Sequence, residues 1–251
     1  MATLEHEHPG IERTAWTRQV DCATKRVLDI LVSAVLLAAL LPVLLVVAVA
    51  IKLDSPGPVF YRARRVGYRG AELRMLKFRK MRDDASGPAL TGAEDARFTR
   101  MGRFLAKTKL DELPQLWNVL RGDMSLVGPR PEDPSFVALQ EDAYDTILQV
   151  RPGVTGLCQL AFARESEILD ERDRTGFYVE RLLPQKARLD ALYAQRRTLW
   201  MDVRILFWTL AAVGFRCAVA VNRQTASLTR RGRRSLATQP ALAPDRRRHR
   251  G

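Results

Sequence analysis

The feature that most constrains this chain is an uncharged run of 22 residues, Ile30 to Ile51, in which only Ser33 and Pro42 are not strongly apolar. At about 1.5 Å per residue the run makes roughly 33 Å of helix, enough to cross a hydrocarbon core of about 30 Å. It is too long for a signal peptide, and AVAIKLDSPG at its end holds no convincing small-x-small cleavage site. Basic residues stand on both sides, Lys25 and Arg26 before it and Lys52, Arg62, Arg64 and Arg65 after, so the positive-inside rule sets no orientation. Pro42 removes a backbone hydrogen bond near the middle and leaves 12 residues before it and nine after, each about half a membrane deep. Two placements stand side by side: a plain spanning helix, and a helix broken at Pro42 that enters and returns on one face.

The 251 residues leave room for one large domain or two small ones. A formal net charge of +13 points to an anionic partner: a phosphorylated substrate, an acidic membrane surface or nucleic acid. The charge is uneven, since 221–251 hold nine Arg and one Asp, or +8, which leaves 1–220 with 13 − 8 = +5. Aromatic residues do not interleave with the basic ones as in a single-strand binder, so nucleic acid is not expected as a partner. Cys22, Cys158 and Cys217 lie far apart without a CxxC pair, which supports neither a disulfide framework nor a zinc knuckle and fits a reducing, cytoplasmic exposure. His6, His8 and His249 all sit near the chain ends, which argues against a central Ser-His-Asp triad or an HExxH zinc site. Neither a P-loop motif nor a helix-opening GxGxxG is present, so ATP hydrolysis on a P-loop and dinucleotide binding lose their signatures.

Composition divides the chain into a polar N-terminal tail over 1–22, a membrane helix and exit turn over 23–58, a candidate catalytic domain over 59–165, interfacial helices over 166–221 and an Arg-rich disordered tail over 222–251. After the turn Asp54-Ser55-Pro56-Gly57-Pro58, the segments VFYRARRV and AELRMLKFRKM alternate apolar and basic residues about Gly67-Tyr68-Arg69-Gly70 and predict a β-hairpin. Residues 83–96 predict a loop, 97–122 and 136–150 helices, 123–135 and 151–164 irregular chain, and 165–221 mostly helix. Leu199, Val203, Leu206, Leu210 and Val213 recur at helical spacing beside Trp200 and Trp208, which fits either an interfacial amphipathic helix or a core-facing one. The expected fold is α+β, mainly helical, with a small β-hairpin.

The densest cluster of chemical signals is KTKLDELPQLWNVLRG, residues 107–122. With Asp111 as a helix cap, Pro114 would fall in the first turn and Gly122 at the C-terminal stop. An acidic pair at the positive end of a helix dipole stays ionised, and the same end attracts phosphate. An ionised Asp111 there could attack phosphorus to give an aspartyl-phosphate type intermediate; equally, Asp111 could be a plain cap and Glu112 a solvated first-turn acid. Lys77, Arg79, Arg130 between Pro129 and Pro131, and Arg151 before Pro152 lie in loops or at strand ends. Such cations suit forks pre-positioned for a diphosphate or, taken singly, ordinary surface charges.

KFRKMRDDA, then TRMGRFLAKTKLDELPQLWNVLRGDMSLVGPRP, then VRPGVTGLCQ, following a basic-flanked apolar segment with a central proline, closely resemble the bacterial sugar transferase family over roughly residues 23–215. These are the monotopic polyprenol-phosphate phosphoglycosyl transferases. The resemblance implies transfer of a sugar 1-phosphate from a UDP-sugar to undecaprenyl phosphate with release of UMP, the first membrane step of an exopolysaccharide or other surface glycoconjugate. It implies Asp111 as the nucleophile of a covalent phosphosugar intermediate, Glu112 as a base or orienting partner, and Mg2+ contacted by Asp111. Pro129, Arg130, Pro131 and the Arg151 loop match positions that bind the nucleotide-sugar phosphates, a set to which Lys77 and Arg79 are added here. The family's membrane helix is re-entrant, so the resemblance selects the helix turned at Pro42. It places the catalytic domain on the cytoplasmic face of the inner membrane, with membrane lipids and downstream glycosyltransferases as further partners.

The chain departs from the family pattern in places. Ala106 stands where an Arg five residues before the catalytic Asp is usual, Leu41 where many members carry Ser before the proline, and Lys80 where Thr or Ser is usual. Gly156-Leu157-Cys158-Gln159-Leu160 replaces the usual Gly-Trp-Ala-Gln-Val. Ala106 removes one expected phosphate contact, which Lys107 or Lys109 could replace. The alternative reading is a catalytically inactive membrane scaffold of the same fold; a nucleic-acid binder recruited by the tail would lose function on tail deletion.

Overall fold

The computed structural model describes residues 15–83, 85, 87, 90–92, 95–163, 173–214, 217 and 219–230, with side chains from residue 22 onward. The expected N-terminal tail up to residue 14, the helix start near Glu165 and the Arg-rich stretch 231–251 lie outside the described residues.

A glycine-free sequence carries helix α1 over 40 residues, Ala15–Asp54, with Pro42 inside it. Most of its circumference presents apolar side chains outward: Val35 is 66% exposed, Val46 69% and Leu53 83%. An apolar surface of that extent is unstable in water and is what lipid requires. Among the described residues this is the helix long and apolar enough to cross a membrane. A narrower stripe of Asp29, Ser33, Leu37, Leu44, Val47 and Ile51 follows the helical repeat and is covered by protein.

Both ends of α1 are fastened to the globular part. Near its start Lys25 pairs with Asp202 at 2.6 Å, Arg26 donates to the carbonyls of Val119 (2.7 Å) and Leu120 (3.1 Å), and Asp29 accepts from the Leu126 amide at 3.1 Å. Near its end Val47 and Ile51 pack on Phe78 and Leu105, and Asp54 accepts from the Met101 amide at 2.9 Å.

The hairpin is as expected. Strands β1 (Phe60–Val66) and β2 (Glu72–Phe78) pair antiparallel from Phe60↔Phe78 to Val66↔Glu72. Alternation sends Leu73, Met75 and Lys77 to one face and Glu72 and Arg74 to the other, where they join Arg62 and Arg64 around an open depression. Lys77 is thereby turned toward the core side.

The stretch 97–122 is two helices, α2 (Arg100–Thr108) and α3 (Gln115–Arg121), with a 3-10 turn at Leu110–Glu112 between them. Thr99 caps α2 by accepting from Gly102, Lys109 ends it in the left-handed region (φ 61°), and Gly122 stops α3 at φ 93°. Three-residue strands β3 (Ser125–Val127) and β4 (Gly153–Thr155) then pair in parallel. Helices α4 (Pro134–Val137) and α5 (Glu141–Ile147) lie between them, and α6 (Leu157–Ala161) follows. The β3–β4 pair approaches so closely that a Cβ on Gly153 would collide with the backbone of Gly128.

Helix α7 (Arg174–Phe177) runs through a π-turn at Tyr178–Leu182 into α8 (Leu183–Arg196), and α9 (Leu199–Gly214) follows. On α9, Ile205 and Asp202 are buried while Trp200, Val203, Phe207, Leu210 and Val213 are exposed, an apolar outer face beside buried contacts. Residues 222–230, expected in the disordered tail, instead close a hairpin of β5 (Val219–Val221) and β6 (Leu228–Arg230), with Val219, Ala226 and Leu228 buried in the main core. That core also holds Leu73, Met75, Leu116, Val119, Leu157, Leu189 and Ile205.

Candidate active site

Asp111 and Glu112 sit in the 3-10 turn between α2 and α3, not at a helix cap: α3 begins at Gln115, with Pro114 before it. The left-handed Lys109 is the physical reason, because it breaks the helical path two residues before Asp111. Asn118 on α3 fixes the turn against the hairpin, accepting from the Leu76 amide at 2.9 Å and donating to the Arg74 carbonyl at 3.0 Å. This clip aligns the turn with the end of β2, where the lysines lie.

The result is a half-open cluster of opposite charges. Asp111 is buried, 2% exposed, and pairs with Lys80 Nζ at 3.3 Å. Glu112 Oε1 lies 2.9 Å from Lys77 Nζ and 3.8 Å from an Arg130 nitrogen. Burial alone would raise the Glu112 carboxyl, but Lys77, Arg130 and Lys109 outweigh it and hold it well below the usual carboxylate range. Burial likewise pulls Lys77 below its ordinary value, opposed by Glu112.

Arg130 reaches the dyad from a loop whose backbone is fixed at several points. The Pro129 carbonyl accepts from Gly153 at 2.8 Å, Gly128 donates to Thr155 at 2.9 Å, and Arg130 donates to Asp190 Oδ2 at 3.2 Å; Pro129 and Pro131 are buried on either side. Beneath the loop lies a second, sealed cluster. Lys186 pairs with Glu132 at 2.8 Å and donates to the Tyr178 hydroxyl at 2.6 Å, which donates to Glu132 at 2.9 Å. Burial pushes the Asp190 carboxyl up to about 8, against the Arg130 amide and Lys186.

Of the residues expected to meet the nucleotide-sugar phosphates, Lys77 and Arg130 converge on the dyad, and Pro129 and Pro131 frame Arg130. Arg79 and Arg151 do not join them. Arg79 is buried and ties down the exit turn of α1, donating to the Pro56 carbonyl and to Ser55 O (2.7 Å) and Oγ (2.9 Å). Arg151 stacks 5.3 Å from the Tyr68 ring and donates to the Gly122 carbonyl at 2.9 Å. Lys77 lies within β2, whereas Arg79 lies past the strand end at Phe78, where strand alternation no longer sets its direction and the carbonyls of Ser55 and Pro56 hold it. Lys80 and Asn118 are the site residues that sequence reasoning missed; the signal for Lys80 was its departure from the family pattern.

The sequence matches the model of the bacterial sugar transferase family over residues 20–216. The chain belongs to this family. It is 41% identical over 194 residues to the UDP-glucose:undecaprenyl-phosphate glucose-1-phosphate transferase of Caulobacter vibrioides, covering 75% of this chain and 69% of that one. It is 39% identical over 199 residues to the undecaprenyl-phosphate glucose phosphotransferase of Komagataeibacter xylinus, covering 76% and 36%. An exopolysaccharide production protein PSS from Rhizobium leguminosarum bv. phaseoli is 40% identical over 206 residues, covering 77% and 96%. The chain thus spans nearly all of one relative and little more than a third of another. The family expectation from the motifs holds, and with it the transferase class.

Proposed function

We propose that the chain transfers a sugar 1-phosphate from a UDP-sugar to undecaprenyl phosphate through an aspartyl phosphosugar intermediate on Asp111, releasing UMP, as the initiating step of exopolysaccharide or other surface glycoconjugate synthesis. The observation that carries this is the buried Asp111 beside the half-buried Glu112, the two met by Lys77, Lys80 and Arg130. An Asp111 oxygen attacks the sugar-bearing phosphorus; the new P–O bond forms as the bond to UMP breaks, and UMP leaves with the electron pair. A phosphate oxygen of the polyprenyl acceptor then attacks the same phosphorus and restores the carboxylate. Lys77 and Arg130 meet the charge of the diphosphate. Glu112, held strongly acidic, is a weak base, so its part is to orient these two cations rather than to take a proton.

Mg2+ suits this site as a shared ion. One or two carboxylates with substrate phosphate oxygens make a sufficient Mg2+ set, and Asp111 offers one; among the described residues no three His, Cys, Asp or Glu side chains converge. When bound, the ion offsets charge on the diphosphate.

The proposal includes a re-entrant α1 and a catalytic domain on the cytoplasmic face of the inner membrane, where UDP-sugars are found. Support comes from the fastening of both helix ends to one polar globular unit. From residue 26 to 54 a straight helix measures about 42 Å, so a spanning α1 would set these attachments on opposite sides of a core about 30 Å thick. The outer apolar face of α9 supplies an interfacial contact for the same side.

The test is UMP release by the protein in lipid nanodiscs with Mg2+, undecaprenyl phosphate and a panel of UDP-hexoses and UDP-N-acetylhexosamines. Acceptor-dependent release with at least one sugar, lost in Asp111→Asn, is the expected result. Silence across the panel from folded protein, or release that survives Asp111→Asn, would overturn the reading.

A further inference from the structure

Lys80 is the side chain that the fold brings onto Asp111, and its backbone is held from several directions. The Lys80 carbonyl accepts from the Thr99 amide at 3.1 Å, and Gly102 packs so close that a Cβ there would collide with the same carbonyl. The neighbouring Met81 bridges to Phe98, whose ring centre lies 5.7 Å from Lys80 Nζ. From this root the side chain reaches Asp111 Oδ2 at 3.3 Å, with the Asp111 side chain 3% exposed and that of Lys80 29%. On the other side the left-handed Lys109 and the 3-10 turn hold Asp111. Two separately anchored walls meet at one ion pair.

A carboxylate oxygen engaged by an ammonium is a poor ligand for a hard divalent ion, because the two cations need the same lone pairs and repel each other. Lys77 and Arg130 add positive charge nearby, and the adjacent Glu112 is already engaged by them. We propose that Lys80 is the positioning residue of Asp111: in the free protein it takes the place at the carboxylate that a divalent cation would otherwise occupy, so the cation joins Asp111 only together with the diphosphate. This deepens the function proposed above and rests on Asp111 as the reacting group. Once Asp111 is esterified its charge is gone, and the Lys80 ammonium is left facing the transferred phosphoryl group.

The test uses Mn2+ as a paramagnetic probe, titrated by electron paramagnetic resonance into the full chain in nanodiscs without nucleotide. Wild type, Lys80→Met and Lys80→Arg are compared, each with and without Asp111→Asn. Lys80→Met is expected to bind Mn2+ at least tenfold more tightly than wild type or Lys80→Arg, and the gain to vanish with Asp111→Asn. In UMP release, kcat of Lys80→Met falls roughly ten- to hundredfold while Lys80→Arg keeps most of it. Equal Mn2+ affinity in wild type and Lys80→Met, or a gain that persists without Asp111, overturns the inference. UMP release that survives Asp111→Asn overturns the proposed reaction instead, and the Mn2+ titration still decides the role of Lys80.

Discussion

Two clusters of opposite charges share the loop that carries Arg130, and they differ in what surrounds them. At Asp111 and Glu112 only Asp111 is covered; the Glu112 side chain is 21% exposed, and the partners Lys77, Lys80 and Arg130 keep 12%, 29% and 33% of their side-chain surface open. At Glu132, Lys186 and Asp190 everything is sealed, and Tyr178 completes the contacts. The open cluster keeps cationic surface accessible, as the proposed diphosphate substrate requires; the sealed one bonds within itself and to the Arg130 amide. On the proposed function, the same residue types serve chemistry in one place and geometry in the other, and the accessible cluster is the one assigned the chemistry.

The sharpest way to break the comparison is Asp111→Asn. It should lower sugar-phosphate transfer by about four orders of magnitude, read as UMP release, with the thermal midpoint nearly unchanged because the sealed cluster is untouched. Lys186→Met should do the reverse. It leaves Glu132 buried without its cation and should cost about 3–5 kcal/mol of stability in a denaturation experiment, a loss partly recovered by adding Glu132→Gln.

Between the two, Arg130→Lys probes the residue common to both. A point charge replaces a planar fork, so KM for the UDP-sugar should rise about tenfold while the backbone bond to Asp190, and hence stability, persists. The most gradual effect, read as a slope with pH rather than as a loss at one pH, belongs to Asp190. Its carboxyl, raised to about 8, keeps a proton that the unfolded chain has released. Its contribution to stability is therefore full below the unfolded value near 4 and is lost as pH rises toward 8, at no more than about 1.4 kcal/mol per pH unit. Asp190→Asn, which cannot ionise, should flatten that slope in thermal melts taken across this range.

Legibility in the sequence follows the length of the signal. The apolar run of α1 and the alternation of the β1–β2 hairpin extend over enough residues to be read directly, as do the Gly122 stop and the motif around Asp111. Strands β3 and β4, three residues each, are too short for alternation to register; β5 ends a stretch read as helix to residue 221, and β6 sits where the arginines read as a solvated tail. The break between α2 and α3 depends on a lysine in the left-handed region, which no glycine announces. Within the site, Lys77 and Arg130 were legible as cations near a diphosphate, but pairing was not. Which cation meets which acid depends on the Asn118 clip and on the close packing of Gly102 against Lys80, contacts between segments far apart in the chain. Arg79, read as a phosphate ligand, was instead drawn to the carbonyls of the turn leaving α1.

The most direct test of the central claim is to mix the protein with a productive UDP-sugar without acceptor, quench, and weigh the intact chain and its tryptic peptides. The account predicts one sugar phosphate on the peptide Leu110–Arg121, which contains Asp111, with an equal amount of UMP released. UMP that appears only when polyprenyl phosphate is added, with no adduct on that peptide at any time, would contradict it.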